Sequence, residues 1–378
     1  MKLGVIGYGA RISWIVELIR KQAPDSSVAA IVDVRKEAVK RGIRGQHAEQ
    51  AVVYETPEQM LESVDLDGVL IGTHCTLHTP MALKVLPRGI PLFLEKPVAI
   101  TMDDLVRLKR GSEASTSPVV VSFPLRVTSL VKLVKEIIDA GTIGTVEHVQ
   151  AYNNVPYGGV YFHSWYRDEM ETGGLFLQKA THDFDYLNYV LGYRPVTVCA
   201  MTSKQVFKGT KPAGLKCIDC DENQTCEEST VSSTKNASRG EYCAFAVDTG
   251  NEDSGSALVR YDTGMHLSYS QNFVARRKAG IRGARFIGYK GTLEFDFYSG
   301  IVKVYMHHAA QVRTYELDGG EDHFGGDAEL VRNFIAVIQG KAQSVATLDE
   351  GMQSALLCLA ARTSAQTGQF QSVDYETL

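Results

Sequence analysis

The chain has 378 residues, which exceeds the roughly 250 to 300 at which a single hydrophobic core stops growing, so its length predicts two domains. Hydrophobic residues make up 44% and charged residues 22%, and the formal net charge of −5 excludes a general attraction to nucleic acid or anionic lipid. No run approaches the roughly 18 apolar residues of a membrane span, and the chain opens directly on a short strand pattern, so we expect a cytoplasmic protein.

Up to about residue 120, short apolar runs alternate with helical patterns, which predicts a parallel sheet covered by helices. The expected strands are LGVIG, VAAIVD, GVLIGT, IPLFLE and SPVVVSF, and the expected helices are ISWIVELIRKQ, RKEAVKRG, TPEQMLES, PMALKVLPRG and TMDDLVRLKRGSEA. We therefore predict an α/β domain at 1–121, a doubly wound parallel sheet of the Rossmann type that binds NAD(P).

From about Ser122 the apolar residues alternate in twos, which is typical of an antiparallel sheet. A helix, SLVKLVKEIIDAG, precedes the strands VEHVQAYNN, VTVCAMTSKQVF, SGSALVRYDTGMHLSYSQNF, ARFIGYKGTLEFDF and GIVKVYMHH, and two helical patterns close the chain. We predict an α+β domain at 122–378 with a large, mostly antiparallel open sheet. A polar, cysteine-rich insertion interrupts it at about 209–243.

The segment GVIGYGARI carries a strand through Gly7 and Gly9 into a helix, the arrangement in which backbone N–H groups and the helix dipole receive a pyrophosphate. Ile12 stands where the usual fingerprint has a third glycine. Asp33 ends the next strand, where a carboxylate accepts hydrogen bonds from ribose hydroxyls and repels a 2′-phosphate. We expect NAD, with NADP as the alternative because Arg35 can offset that repulsion.

The sequence EKP (Glu95 to Pro97) follows an apolar strand, and THCTLH ends the strand before it. Together with IIDAGTIGTVEHV, GGLFLQKATHDFD and IGYKGTLEFD, these motifs resemble the glucose-fructose oxidoreductase/inositol dehydrogenase (Gfo/Idh/MocA) family over nearly the whole chain. The resemblance implies a nicotinamide-dependent dehydrogenase that acts on a ring hydroxyl of a sugar, cyclitol or glycoside. It also implies a small-molecule substrate and a homodimer or homotetramer assembled through the open sheet.

The resemblance places the catalytic roles on Lys96 and His182. Hydride transfer from a secondary alcohol leaves a proton to remove, and histidine accepts one near neutral pH, while a lysine ammonium stabilises the developing charge on oxygen. Many members of the family have an aspartate one helical turn before the histidine, where this chain has Gln178. Asp185 lies three residues after His182 and can orient it, whereas Asp183 is expected to be solvated or capping.

Further site residues are expected in two groups. His163, Tyr166 and Arg167 are expected to contact the substrate, because the aromatic and basic loop VPYGGVYFHSWYRDE suits a sugar face. The motifs of the resemblance add Arg126, Gln178 and Asp185 to the expected substrate contacts. The cofactor contacts are expected to be Gly7, Gly9, Ala10, Arg11, Asp33, Thr73, His78, Glu95 and Lys96. The basic stretch ARRKAGIRGAR is expected to be a solvated loop, with a phosphate or carboxylate site as the alternative.

Four cysteines, Cys217, Cys220, Cys226 and Cys243, lie in or beside the polar insertion. A CxxC pair joined by two further thiolates can close a tetrahedral zinc site that staples the insertion without taking part in catalysis. Free or transiently oxidised thiols and structural disulfides are the alternatives.

Two other functions compete with the dehydrogenase. The first is an NAD-dependent glycoside hydrolase that oxidises its substrate only transiently and therefore produces no net NADH. The second is a catalytically silent dinucleotide-binding regulator, which the uncharged Gln178 favours. The stoichiometry of NADH and the presence of turnover distinguish the three.

Overall fold

The computed structural model describes residues 1–35, 39, 51–232, 236–318 and 323–376. The chain divides into two compact units, the first made of Met1–Ser129, Gly320–Leu356 and Tyr375–Leu378, and the second of Leu130–Gly319 and Leu357–Asp374. The sequence predicts two domains that follow one another along the chain. In the structure, residues near the end of the chain return to the first unit. Most of the expected helix RKEAVKRG lies outside the described residues.

Helices are found at most of the positions that the periodicity indicates. Within the described residues they are α1 (Ala10–Gln22), α2 (Pro57–Ser63), α3 (His78–Val85), α4 (Met102–Glu113), α5 (Ser129–Asp139), α6 (Val160–His163), α7 (Glu169–Thr172), α8 (Thr181–Leu191), α9 (Gly326–Ile338) and α10 (Leu348–Thr367). Two of these helices begin at a side-chain cap: Thr56 and Thr101 each accept a backbone N–H of the first turn of the helix that follows.

The first unit is built on a parallel sheet that, in the described residues, has six strands in the order β3-β2-β1-β4-β5-β6. The strands are β1 (Lys2–Ile6), β2 (Ser27–Val32), β3 (Val52–Tyr54), β4 (Gly68–Ile71), β5 (Leu92–Leu94) and β6 (Val119–Val121). This order is the Rossmann arrangement, which confirms the expected fold. The short strand β3 was not expected, because three residues show no periodicity.

Helix α9 explains why the chain returns to the first unit. Phe334 of α9 packs edge-on against Phe93 of β5, with ring centroids 5.5 Å apart. A Cβ at Gly68, the first residue of β4, would lie 2.8 Å from Ile338 Cδ1, so the side chains of α9 pack directly against the strand at this glycine. The apolar face of α9 therefore belongs to the core of the Rossmann sheet.

The second unit contains a sheet that, over the described ranges, has nine strands in the order β14-β13-β12-β11-β7-β10-β9-β8-β15. The strands are β7 (Val146–Asn154), β8 (Pro195–Ser203), β9 (Ser254–Tyr261), β10 (His266–Asn272), β11 (Ile281–Gly288), β12 (Gly291–Asp296), β13 (Ile301–Met306), β14 (Val312–Glu316) and β15 (Gln371–Ser372). Its described pairs are antiparallel except β7 with β10. The mostly antiparallel sheet is thus confirmed, and β14 and β15 add to the expected strands.

The sheet of the second unit has one buried face and one open face. Along β9, Ala257, Val259 and Tyr261 are buried, whereas Leu258 between them is 52% exposed. This alternation is what the period of two predicts. No helix in the described residues combines the length and the apolar character needed to cross a membrane.

The polar insertion is tied to the second unit by an apolar cluster and by a carboxylate. Phe207 and Ala244 of the chain between β8 and β9 pack with Phe162 and Phe273 in a buried cluster. The carboxylate of Asp253 accepts the backbone N–H groups of residues 205, 206 and 207 at 2.5 to 3.1 Å. The insertion is therefore anchored at its start.

Candidate active site

The turn between β1 and α1 has the shape that a bound pyrophosphate requires. Gly7 has φ +82°, and a Cβ there would lie 2.8 Å from the backbone nitrogen of Thr73, so only glycine fits. A Cβ at Gly9 would meet nothing within 4 Å, which leaves open space beside the turn. Helix α1 starts at Ala10 with no side-chain cap and no acidic residue in its first turn. Its N-terminal N–H groups therefore fit an anionic ligand.

The missing third glycine is compensated on the facing strand. The third glycine of the fingerprint normally permits close packing of helix against strand. Here Ile12 fills that space and Gly72, directly after β4, makes room for it: a Cβ at Gly72 would lie 2.0 Å from Ile12 Cγ1. The departure from the motif thus preserves the packing.

Asp33 lies directly after β2 and is 8% exposed. Its carboxylate accepts the backbone N–H of Tyr8 at 2.8 Å and that of Arg35 at 2.7 Å. Burial raises the pKa of Asp33, but hydrogen bonds from the Arg35 side chain and from the two backbone N–H groups outweigh burial and leave the pKa below its usual value. The guanidinium of Arg35 lies 3.3 Å from the carboxylate and is mostly exposed. Both groups that bear on the choice of NAD or NADP thus lie side by side.

Arg11 and Glu95, two expected cofactor contacts, bind each other. Arg11 Nε lies 2.9 Å from Glu95 Oε1, and its two terminal nitrogens lie 2.6 and 2.7 Å from the carboxylate of Asp327. Ser122 donates to Glu95 at 2.8 Å. Burial raises the pKa of Asp327, but hydrogen bonds from Arg11 and His323 outweigh burial and lower it to about 2. The cluster fixes the backbone at residue 95, directly before Lys96.

His78 connects two loops at the carboxyl edge of the parallel sheet. Its ring is buried, with Nδ1 2.8 Å from the carbonyl oxygen of Pro97 and Nε2 3.1 Å from that of Thr73. Burial lowers the pKa of His78 below its usual value. The side chain therefore joins the loop after β4 to the EKP segment after β5.

Arg126 follows β6 and is 2% exposed. Its Nη1 lies 2.6 Å from Glu350 Oε1 and donates to the carbonyl of Val345 at 3.1 Å. The structure thus places this expected substrate contact inside the first unit, next to the start of α10.

The histidine helix of the second unit begins at the paired glycines. Gly173 and Gly174 have φ +75° and +88° and turn the chain after α7. The carboxylate of Glu252 then accepts the N–H groups of Leu175 at 2.9 Å and Phe176 at 3.2 Å, where the positive end of a helix favours an anion. Residues Phe176–Ala180 form a π-helical turn that continues into α8. Turns of this kind are rare in proteins, and those that occur often lie at functional sites.

Three expected residues lie on this continuous helical segment. Gln178 is 3% exposed, His182 5% and Asp185 2%. The structure brings them together on one buried helix, as the spacing indicates.

Asp183 differs from its expected solvated or capping role. It is fully buried, with Oδ1 2.7 Å from Arg282 Nε, and its Oδ2 accepts hydrogen bonds from Asn153 and Tyr269 at 2.8 Å each. The expectation was wrong because the cation that neutralises it comes from β11, 99 residues away. The solvated loop expected at ARRKAGIRGAR fits its first half, where Arg277 and Lys278 are exposed, but not its second half: β11 starts at Ile281, and Arg282 is 3% exposed.

Lys179 is a functional candidate that the sequence reasoning did not single out. It is 4% exposed and donates a hydrogen bond to the hydroxyl of Tyr157. Its Nζ lies 4.6 Å from the ring centroid of Tyr157 and 5.9 Å from that of Tyr161. Burial, reinforced by the positive charge of Arg282, lowers the pKa of Lys179 well below its usual value, against the opposing effect of Asp183. Its spacing of three from His182 was the available signal.

His163 and Arg167, two of the expected substrate contacts, contact residues in the insertion or just after it. His163 is fully buried, with Nδ1 2.7 Å from the carbonyl of Tyr242. Burial lowers the pKa of His163, but the nearby side chains of Cys217 and Glu228 and the carbonyl of Tyr242 outweigh burial and raise it to about 9. Arg167 lies 2.5 Å from Asp248. Tyr166 stacks on Trp165 with ring centroids 4.0 Å apart.

The seven cysteines all lie within the described residues and are free thiols. In that part of the chain no group of three or more His, Cys, Asp or Glu side chains is arranged to hold a metal ion. The zinc expected from Cys217, Cys220, Cys226 and Cys243 is therefore not supported. The spacing does not fix where the thiols point: that of Cys217 lies 3.6 Å from the carbonyl of Tyr242, and that of Cys220 lies 3.8 Å from Asp221 Oδ1.

Both units match families of known proteins. Residues 1–123 match the oxidoreductase family with an NAD-binding Rossmann fold, and residues 131–294 match the GFO/IDH/MocA C-terminal domain. The chain belongs to the Gfo/Idh/MocA family of NAD-dependent oxidoreductases, and the resemblance seen in its motifs is confirmed.

Individual relatives are distant. A putative oxidoreductase of Bacillus subtilis, YteT, is 27% identical over 73% of each chain. Myo-inositol 2-dehydrogenase of Thermotoga maritima is 27% identical over 57% of this chain and 62% of its own length. A levoglucosan dehydrogenase, solved with NADH and levoglucosan, superposes with a TM-score of 0.78 at 17% identity and covers 99% of each chain. The similarity to the levoglucosan dehydrogenase shows a shared fold and no more.

Proposed function

We propose that this protein is an NAD-dependent dehydrogenase that oxidises a ring hydroxyl of a sugar or cyclitol, or reduces the corresponding ketone. The observation that carries the proposal is the open turn at Gly7 and Gly9 over the uncapped start of α1, with Asp33 close by. The substrate class is supported by relatives named for inositol and levoglucosan. The substrate is a small molecule.

The residues of the first unit supply the cofactor site. When bound, the nicotinamide accepts a hydride from the carbinol carbon. The N–H groups around Gly9, Ala10 and Arg11 hold the pyrophosphate, and Asp33 accepts from the adenosine ribose. The Arg11–Glu95 pair and the His78 bridge hold the backbone around Thr73 and EKP in place.

Two residues act on the reacting hydroxyl. His182 accepts its proton, and the ammonium of Lys96 stabilises the negative charge that develops on oxygen. Gln178 and Asp185 orient His182 from the turns before and after it. In this proposal, four of the expected substrate contacts hold segments of the chain in place and do not touch the sugar. They are His163, Tyr166, Arg167 and Arg126.

The open face of the second-unit sheet supports a proposal about the oligomeric state. We propose that two or four copies associate through this face, on which Leu258 is exposed. Light scattering during gel filtration measures the mass, and Leu258→Glu should yield monomers that keep the wild-type fold by circular dichroism. A wild-type monomer at micromolar concentration contradicts this assembly.

The test of the function is a screen of sugars, cyclitols, uronates and aryl glycosides with NAD and NADP. We expect NADH to accumulate in proportion to an oxidised ring alcohol. Release of an aglycone without net NADH would instead indicate the transient-oxidation hydrolase. Tight NAD binding with no turnover of any substrate would indicate the regulator.

With a substrate in hand, His182→Ala should lower kcat by about 10²- to 10⁴-fold, because a positioned proton acceptor contributes that much. Its dissociation constant for NAD, measured by fluorescence titration, should stay within about twofold. His307→Ala, at an exposed position after β13, is the matched control and should leave kcat unchanged. If His182→Ala turns over at the wild-type rate, the histidine has no catalytic role.

A further inference from the structure

The proposed function leaves one buried pair on the histidine helix unused. Lys179 is 4% exposed, and the group to which it donates is the hydroxyl of Tyr157, which is 43% exposed. Tyr157 therefore connects a buried amine to the surface of the second unit. A buried lysine that contacts the hydroxyl of a partly exposed tyrosine is an arrangement suited to proton exchange.

The surroundings favour the neutral amine. A buried ammonium is stable only beside an anion. Among the residues that the structure describes, the carboxylate that attracts Lys179 is that of Asp183. That carboxylate already binds Arg282 and accepts hydrogen bonds from Asn153 and Tyr269. Arg282 adds repulsion, so the pKa of Lys179 falls well below its usual value.

The same cluster contains two buried polar atoms whose hydrogen bonding is incomplete. Arg282 Nη2 and Asn153 Oδ1 are buried and have no hydrogen-bond partner among the described residues. Arg282 and Asn153 bind opposite oxygens of the Asp183 carboxylate, so a donor and an acceptor remain unsatisfied around one charged centre. Buried polar atoms without partners are unfavourable, so the charges and hydrogen bonds of this cluster are not fully balanced by the protein alone.

We propose that Tyr157 and Lys179 form a second route for the proton in the dehydrogenase reaction, parallel to His182. This inference rests on the proposed function and names a further catalytic residue, Tyr157, with Lys179 acting through it. As the carbinol C–H bond transfers its electron pair and hydrogen to the oxidised nicotinamide, the substrate O–H bond breaks and its proton passes to the oxygen of Tyr157. The phenolic proton passes to Nζ of Lys179, which becomes an ammonium, and the substrate carbon and oxygen form the carbonyl.

The position of the pair explains how the site works without a charge at Gln178. Lys179 lies in the π-helical turn that continues into the helix of His182, three residues before that histidine. An uncharged Gln178 cannot hold a second proton, whereas the neutral amine of Lys179 can. The route therefore provides an acceptor on the same helix.

The first test needs neither cofactor nor substrate. Protein labelled with ¹³C at the lysine Cε carbons is titrated by NMR, and Lys179→Arg assigns the signal. We expect the Lys179 signal to have the chemical shift of a neutral amine at a pH where the other lysines are still charged. A signal that titrates with the surface lysines overturns the inference whatever the enzyme turns out to do.

The second test uses the substrate found in the screen. Lys179→Met and Tyr157→Phe should each lower kcat at least tenfold and remove the acid limb that Lys179 sets in the pH profile of the wild type, because only the neutral amine accepts a proton. Lys179→Arg, which cannot accept a proton, should behave as Lys179→Met does. The dissociation constant for NAD and the melting temperature report whether each variant binds and folds.

Tyr289→Phe and Lys290→Met are the matched controls, because this tyrosine and lysine are exposed at the turn between β11 and β12 of the same unit. Both should keep the wild-type kcat. If the wild type oxidises a ring alcohol and Lys179→Met does so equally well, the inference fails while the proposed function stands. If the wild type oxidises nothing, the proposed function fails first.

Discussion

Each unit pairs an arginine with carboxylates, but the two clusters balance their charges differently. In the first, the partly exposed Arg11 binds Glu95 and Asp327 at 2.6 to 2.9 Å, and His323 contacts Asp327 at 3.0 Å, so two carboxylates share one arginine. In the second, Asp183 is the described anion for both Arg282 and Lys179. In the first cluster the carboxylates outnumber the arginine, whereas in the second the cations outnumber the carboxylate and the pKa of the weaker cation, Lys179, falls well below its usual value. The first cluster suits a structural role and the second a chemical one.

The most direct test of this difference in charge balance is to remove the central carboxylate from each cluster. Asp183→Asn leaves Arg282 buried without an anion and should lower the free energy of unfolding by about 3–5 kcal/mol. Asp327→Asn should cost less, because Arg11 keeps Glu95. Urea unfolding of both variants measures the difference. Equal losses would mean that the balance of charges does not decide the stability of either cluster.

The first cluster should respond to acid. The pKa of Asp327 is lowered from 3.8 to about 2 in the folded protein, so its contribution to stability is present above pH 3.8 and is lost as the pH falls towards 2. The loss should be about 2 kcal/mol. Urea unfolding between pH 5 and pH 2 should show this loss in the wild type and not in Asp327→Asn, and parallel curves would contradict it.

A smaller effect is expected at Asp33, which also pairs with an arginine but at the edge of the cofactor turn. Asp33→Ser removes the acceptor for the ribose and leaves Arg35 to meet a 2′-phosphate, so the NAD/NADP affinity ratio should fall by at least tenfold. Fluorescence titration with both nucleotides measures the ratio. An unchanged ratio would assign the choice of cofactor to other residues.

Local signals predicted the parts of the fold that depend on neighbouring residues. The GxG turn, the expected strands of the first sheet, and His182 with Gln178 and Asp185 on one helix could be found because each is defined by a short stretch of chain. The partner of Asp183, the return of α9 to the first sheet and the packing of Phe207 could not, because each depends on residues far apart in the sequence.

The site residues show the same limit. His163 and Arg167 have the chemistry of sugar contacts, but the structure turns both towards the insertion, whose course no periodicity predicts. The cysteine spacing is compatible with zinc but does not fix where the thiols point. Lys179 was passed over because its environment comes from β11 and from the loop that carries Tyr157.

The pairing of Ile12 with Gly72 bears on how a dinucleotide turn is recognised in a sequence. The two positions share one small volume, because a Cβ at Gly72 would lie only 2.0 Å from Ile12. A side chain at position 72 therefore fits only if the residue at position 12 is small, whereas position 12 can become smaller without a change at 72. The space that the fingerprint assigns to a glycine on the helix is here supplied by the facing strand, so the glycine loop alone does not show how the helix packs.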